Sequence, residues 1–284
     1  MRFGVAMFFT DYSMAPATLA RAAEDRGFES LFAPEHSHIP ASRLTPYPAG
    51  GDLPRHYYDV MDPFVSLSVA ASVTTRLKIG TGVCLVVQRD PIQTAKLVAS
   101  LDQVSAGRFI FGVGGGWNAE EIADHGTAFK TRFALMRERI EAMKLIWTRS
   151  EAEYHGKFVD FPPMMAWPKP VQKPHPPIIV GGGFPHGARR AAAYGDGWIP
   201  HKAWASYDDV FDYLPEFHRM IAEAGRRPAD VPLTIWAADE DEARLEAYRA
   251  HDVSRVVLHM GAANEDATLP VLDRWARLIE RFDV

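Results

Sequence analysis

The chain has 284 residues, 47% of them hydrophobic and 24% charged, with a formal net charge of -5 at pH 7. That balance excludes a disordered chain and gives no reason to expect nucleic acid or an anionic membrane as partner. A single cysteine excludes an internal disulfide framework and a multi-thiolate zinc site.

Short apolar runs alternate with amphipathic stretches from end to end, the pattern of parallel strands joined by helical crossovers. Strands are expected near Phe3–Phe8, Ser30–Ala33, Leu77–Leu85, Arg108–Val113, Pro177–Val180, Gly197–Pro200, Leu233–Ala237 and Arg255–His259. Between and after them, helices are expected near Pro16–Arg26, Pro63–Val73, Pro91–Ser105, Lys130–Thr148, Gly187–Tyr194, Tyr207–Ala224, Asp241–Ala250 and Leu269–Phe282. Several open with proline, a start signal. Eight strands and eight helices favour a closed α/β barrel, a (β/α)₈ TIM barrel spanning 1–284 as a single domain, over an open doubly wound sheet. Insertions at about Ser37–Met61 and Glu151–Gln172 interrupt the rhythm and are expected to cover the functional end. The apolar start Met1–Phe9 is too short for a signal segment, and no run is long enough to span a bilayer; a cytoplasmic location is expected.

Two strands end in glycine clusters, Phe109-Ile-Phe-Gly-Val-Gly-Gly-Gly-Trp117 and Ile178-Ile-Val-Gly-Gly-Gly183. Glycine admits close backbone approach, and free N–H groups before a helix attract phosphate, although such glycines also turn corners in parallel folds. Glu35-His36-Ser37-His38 follows the second strand, where His36 could move a proton or hold a cofactor ring. His36-Ser37-His38 resembles a two-His metal strand, but later strand ends carry glycine rather than further ligands, so no metal is expected. Asn118 offers a donor and an acceptor to a heterocycle and equally suits a helix cap. Arg189 or Arg190 could meet a phosphate, and Trp198 with His201 could line a pocket. Cys84 reads as a buried structural thiol.

Taken together, Arg2-Phe-Gly-Val5, Phe32-Ala-Pro-Glu-His36, Leu77-Lys-Ile-Gly-Thr-Gly-Val83, Leu101–Asn118 and Pro177–Gly183 resemble the luciferase-like flavin and deazaflavin oxidoreductase superfamily of (β/α)₈ barrels, most closely its coenzyme F420 branch. The resemblance implies hydride exchange between F420 and a small organic substrate. It implies that His36 stands by the ring, and that a bulge with a non-proline cis peptide at Gly82-Val83 backs it. Phosphate contacts fall to Gly181, Gly182 and Gly183, and ring or tail contacts to Gly114, Gly115 and Asn118. Sugar-phosphate dehydrogenases of the superfamily carry a Glu where this chain has Gly115, which leaves His36 and, second, Glu35 to handle protons. An FMN-dependent monooxygenase and a non-catalytic barrel are the alternatives, and a homodimer is the expected assembly.

Overall fold

A computed structural model describes residues 1–200 and 209–282. Eight parallel strand positions form one sheet, in the order β10 (Thr234–Trp236), β11 (Arg255–His259), β1 (Arg2–Ala6), β2 (Ser30–Ala33), β3 (Lys78–Thr81), β5 (Phe109–Gly114), β8 (Ile178–Gly181) and β9 (Gly197–Ile199). A parallel bridge between Trp198 and Leu233 brings the last strand against the first and nearly closes the barrel. The expected third strand is broken in two: β3 pairs with β2 and the lower half of β5, while β4 (Cys84–Leu85) pairs only with the upper half of β5. The expected (β/α)₈ barrel fold class holds.

Two apolar layers follow from the alternation along each strand. Ala6, Phe32, Ile110, Ile179, Ile199, Trp236 and Val257 point inward and fill the lumen. The residues between them, such as Val5, Leu31, Phe111 and Val180, point outward and pack under the helices. Crossovers are supplied by α1 (Pro16–Asp25), α3 (Pro63–Ser72), α4 (Pro91–Val104), α6 (Arg132–Thr148), α7 (His186–Tyr194), α8 (Leu214–Glu223) and α9 (Glu242–Ala250), and α10 (Glu265–Phe282) follows the last strand. Proline opens α1, α3 and α4, and the carboxylates of Asp62 and Asp90 cap the latter two.

Helix α10 begins a turn before its expected start at Leu269. Asn264 Oδ1 accepts from Ala267 N at 3.0 Å and caps the earlier turn, so Pro270 lies inside the helix rather than opening it. A short 3₁₀ turn, Val210–Tyr213, precedes α8; the expected start of that helix at Tyr207 and the candidate His201 lie outside the described residues. Two short helices, α2 (His56–Asp59) and α5 (Ala119–Asp124), carry too little periodicity to read from sequence. Among the described residues no helix is long and apolar enough to cross a membrane.

The second insertion forms an antiparallel pair, β6 (Ala152–His155) with β7 (Asp160–Met164), and does not reach the functional end as expected. Glu138 of α6 accepts from the backbone N–H groups of Lys157, Phe158 and Val159, and Gln103 of α4 donates to Lys169 O. The hairpin is thereby tied to the outer helices.

At the amino-terminal rim, Glu29 receives a bidentate pair from Arg255, 2.8 Å on each arm, and Lys78 at 2.9 Å. Burial alone would raise its carboxyl, but the hydrogen bonds and charge of Arg255, then Lys78, outweigh burial and hold it at about 2. This group's contribution is complete above the ordinary 4.5 and is lost as pH falls from there through about 2. Its size is on the order of 3 kcal/mol. Urea melts of the wild type should weaken across that window more steeply than melts of Glu29→Gln. Parallel pH curves for the two would refute the assignment.

Candidate functional site

A cavity of about 400 Å³ opens at the carboxyl ends of the strands, where barrel chemistry gathers. Its back wall is made by the break between β3 and β4. There the Gly82-Val83 peptide is cis, at the place the sequence resemblance implies. The interrupted ladder is resatisfied locally: Gly82 N donates to Ala33 O at 2.8 Å, and Thr81 Oγ1 to Gly112 O at 2.6 Å.

The Val83 side chain protrudes toward β5 and β8, and the glycines there make room for it. A Cβ on Gly114 would stand 2.5 Å from Val83 Cγ2, and one on Gly181 would stand 3.1 Å from Val83 Cγ1. The neighbouring Gly115 faces Phe133, whose Cε1 would lie 2.5 Å from an added Cβ. Much of the glycine signal read from sequence as ligand approach is therefore packing against Val83 and Phe133, although all three glycines also line the cavity.

Glu35, the second expected proton handler, lines the cavity with both carboxylate oxygens engaged within the fold. Its Oε2 accepts from Leu85 N at 2.6 Å, and its Oε1 is held by Arg89, whose Nε lies 2.6 Å away. Arg89 also pairs with Asp62, so a buried carboxylate and a cation pin the new strand β4 in place.

His36 faces the cavity. Its Nδ1 lies 2.8 Å from Oε2 of Glu121, a residue only 1% exposed, and the indole Nε1–H of Trp117 points to its Nε2 at 3.3 Å. Tyr57 and Trp117 flank the imidazole with ring centroids 5.3 and 5.7 Å away. Burial, then the phenol of Tyr47, pushes the Tyr57 hydroxyl well up, so it stays protonated. Tyr57 and Pro48 come from the first insertion, which does cover the site.

Asn118 is buried but does not line the cavity; its Oδ1 caps α5 by accepting from Glu121 N at 3.2 Å. The cap reading of this residue holds, and the cap helps to place Glu121. Trp198 is likewise buried, its Nε1–H donating to Gly182 O at 2.8 Å.

At the far end lie Gly181, Gly182 and Gly183, with α7 behind them. Gly182 adopts φ +121°, closed to other residues without strain, and an added Cβ would stand 3.1 Å from Arg190 Nη2. Arg189 is exposed, whereas Arg190 lines the cavity with its guanidinium 3.8 Å above the Phe133 ring. On the same ring, 4.2 Å away, lies the guanidinium of Arg132. The Nε atoms of both arginines are buried without a hydrogen-bond partner among the described residues. Burial lowers the pKa of each, and for Arg132 the charge of Arg190 lowers it further. Two half-dry cations beside a glycine loop and a helix N-terminus call for an anion.

Sequence reasoning missed Arg132, Phe133, Tyr57, Trp117 and Glu121 as parts of the site, because their partners lie far away along the chain. Among the described residues no group of His, Cys, Asp or Glu could hold a metal ion.

Over 97% of its length the chain is 46% identical to an uncharacterised Mycobacterium tuberculosis protein, covering 98% of that protein. It is 35% identical to an F420-dependent glucose-6-phosphate dehydrogenase of Amycolatopsis mediterranei over 66% of this chain and 55% of the relative. The monooxygenase RslO1 of Streptomyces bottropensis shares the fold, with a TM-score of 0.76 at 22% identity over 99% of this chain and 100% of that one. The family model described as luciferase-like monooxygenase matches residues 2–277, and with the barrel, the broken third strand and the glycine-rich strand ends it places this chain in that family.

Proposed function

We propose that the chain is an oxidoreductase that binds coenzyme F420 and exchanges a hydride between it and a small organic substrate. The observation that carries this reading is the polarity of this cavity. One end holds a glycine loop and two arginines with no anionic partner among the described residues; the other holds the His36 imidazole walled by aromatic rings. Such a site suits a flat heterocycle with an anionic tail.

In this reading Val83 backs the ring, with Gly82, Gly114 and Gly115 beside it, and Gly181, Gly182 and Gly183 with Arg190 and Arg132 take the phosphate. The deazaflavin, when bound, supplies hydride exchange at its C5. The protein orients it, excludes water with Tyr57 and Trp117, and moves a proton at His36 Nε2. Glu35 contributes by holding β4, since both its oxygens are already engaged. The F420-dependent relative supports this choice of cofactor.

FMN is the second reading, favoured by one observation: two guanidiniums on one ring suit a phosphomonoester dianion better than the singly charged diester of F420. Spectroscopic assays with F420 and small alcohols, or reduced F420 and small carbonyl compounds, should show cofactor turnover without oxygen uptake. Oxygen consumption with reduced FMN, and no turnover with F420, would instead make the protein a monooxygenase.

A further inference from the structure

Glu121 does not line the cavity, yet its carboxylate touches His36, which does. An ionised carboxylate only accepts hydrogen bonds. Its Oε2 lies against His36 Nδ1 at 2.8 Å, and its Oε1 accepts from Ser37 N at 3.1 Å. The Nδ1 of His36 must then carry the proton, which leaves Nε2 as a lone pair. Trp117 agrees independently, because its indole N–H can only donate, and it points at that Nε2.

We propose that Glu121 is the positioning residue of this site: with Trp117 it fixes His36 in the Nδ1–H tautomer, so that the nitrogen reaching the cavity is a proton acceptor. The use of this nitrogen in turnover rests on the oxidoreductase reading above, but the tautomer does not. Oxidation of an alcohol releases a hydride from carbon to the oxidised deazaflavin and a proton from oxygen. His36 Nε2 takes that proton as the long Trp117 N–H bond to the same lone pair breaks, and Glu121 then faces the resulting imidazolium across a short buried contact.

The carboxylate is required, because both oxygens are used as acceptors. Glutamine has one acceptor and one donor group, so Glu121→Gln must either face Ser37 N with an N–H or donate to His36 Nδ1. The second arrangement demands an Nε2–H tautomer, which Trp117 opposes. Removing that opposition with Trp117→Phe lets the ring switch.

The test is nitrogen-15 NMR of histidine-labelled protein without cofactor, with His36 assigned by a His36→Asn control. We expect a protonated Nδ1 and an unprotonated Nε2 in the wild type and in Trp117→Phe. The Nδ1–H population should fall in Glu121→Gln and give way to Nε2–H in Glu121→Gln/Trp117→Phe, with the Ser37 amide resonance displaced in either Gln variant. An Nε2–H ring in the wild type, or an unchanged ring in a folded double variant, would overturn the proposal. Trp117→Phe alone, in which Glu121 is intact, reads the carboxylate's hold should the Gln variants not fold: loss of Nδ1–H there also overturns it. In turnover, Glu121→Gln should lower kcat by about 100-fold with little change in KM. Failure of all F420 turnover would remove the oxidoreductase reading while leaving the tautomer result standing.

Discussion

Arg190→Ala weakens cofactor binding by about 10- to 100-fold, whichever of F420 and FMN is used, and leaves the melting temperature of the free protein unchanged or higher. The reasoning starts from the native cost of this side chain. Arg190 Nε is buried without a partner among the described residues, its guanidinium rests on Phe133, and burial lowers its pKa. Such a cation adds little or nothing to the stability of the free protein. A phosphate at Gly181–Gly183 would gain a charge-assisted hydrogen bond from it, worth about 1.5–3 kcal/mol. That range converts to the stated loss of affinity. Arg189 is the internal control, one residue away and exposed. Equal losses in Arg189→Ala and Arg190→Ala, measured by fluorescence titration, would mean general charge attraction rather than a built phosphate site.

Gly112→Ala lowers the melting temperature by about 10 °C or prevents folding. A Cβ at this position would stand 2.0 Å from Thr81 O, in the middle of the sheet. The obstacle is a backbone carbonyl in β3, and the same two residues are joined by the Thr81 Oγ1 to Gly112 O bond. Relief requires strand β3 to move next to the Gly82-Val83 peptide, so the cost belongs at or above the upper end of overpacking, about 3 kcal/mol. For a chain of this size each kcal/mol moves the midpoint by about 2–4 °C. Gly115→Ala provides the contrast. Its Cβ would meet the Phe133 ring, a side chain that can rotate. Differential scanning calorimetry should show a small loss there and a large one at Gly112.

These two glycines also show how far the sequence could be read. The alternation of apolar runs and amphipathic stretches locates all eight barrel strands, because the two periods survive in any local window. Local windows do not say what a glycine avoids. Gly112 yields to a main chain 31 positions away, Gly114 to Val83 and Gly115 to Phe133. His36 is legible because it directly follows a strand, but its carboxylate partner is 85 positions distant and sits in a six-residue helix whose sequence mark is the Asn118 cap. The split of the third strand and its cis peptide follow from family resemblance rather than from composition or periodicity. Arg190 and Arg132 look alike on paper with every solvated arginine; burial of an unpartnered Nε together with a place on the Phe133 ring at the cavity distinguishes them.

One titration decides between the readings of the cavity. Purified protein is titrated with F420 and, separately, with FMN, following cofactor fluorescence, and the titrations are repeated with Gly182→Val, which places a branched side chain at φ +121° beside Arg190. We predict that F420 binds more tightly than FMN and that Gly182→Val weakens it by at least tenfold. Tighter FMN binding would contradict the choice of cofactor, and failure of the wild type to bind either would contradict the oxidoreductase reading itself.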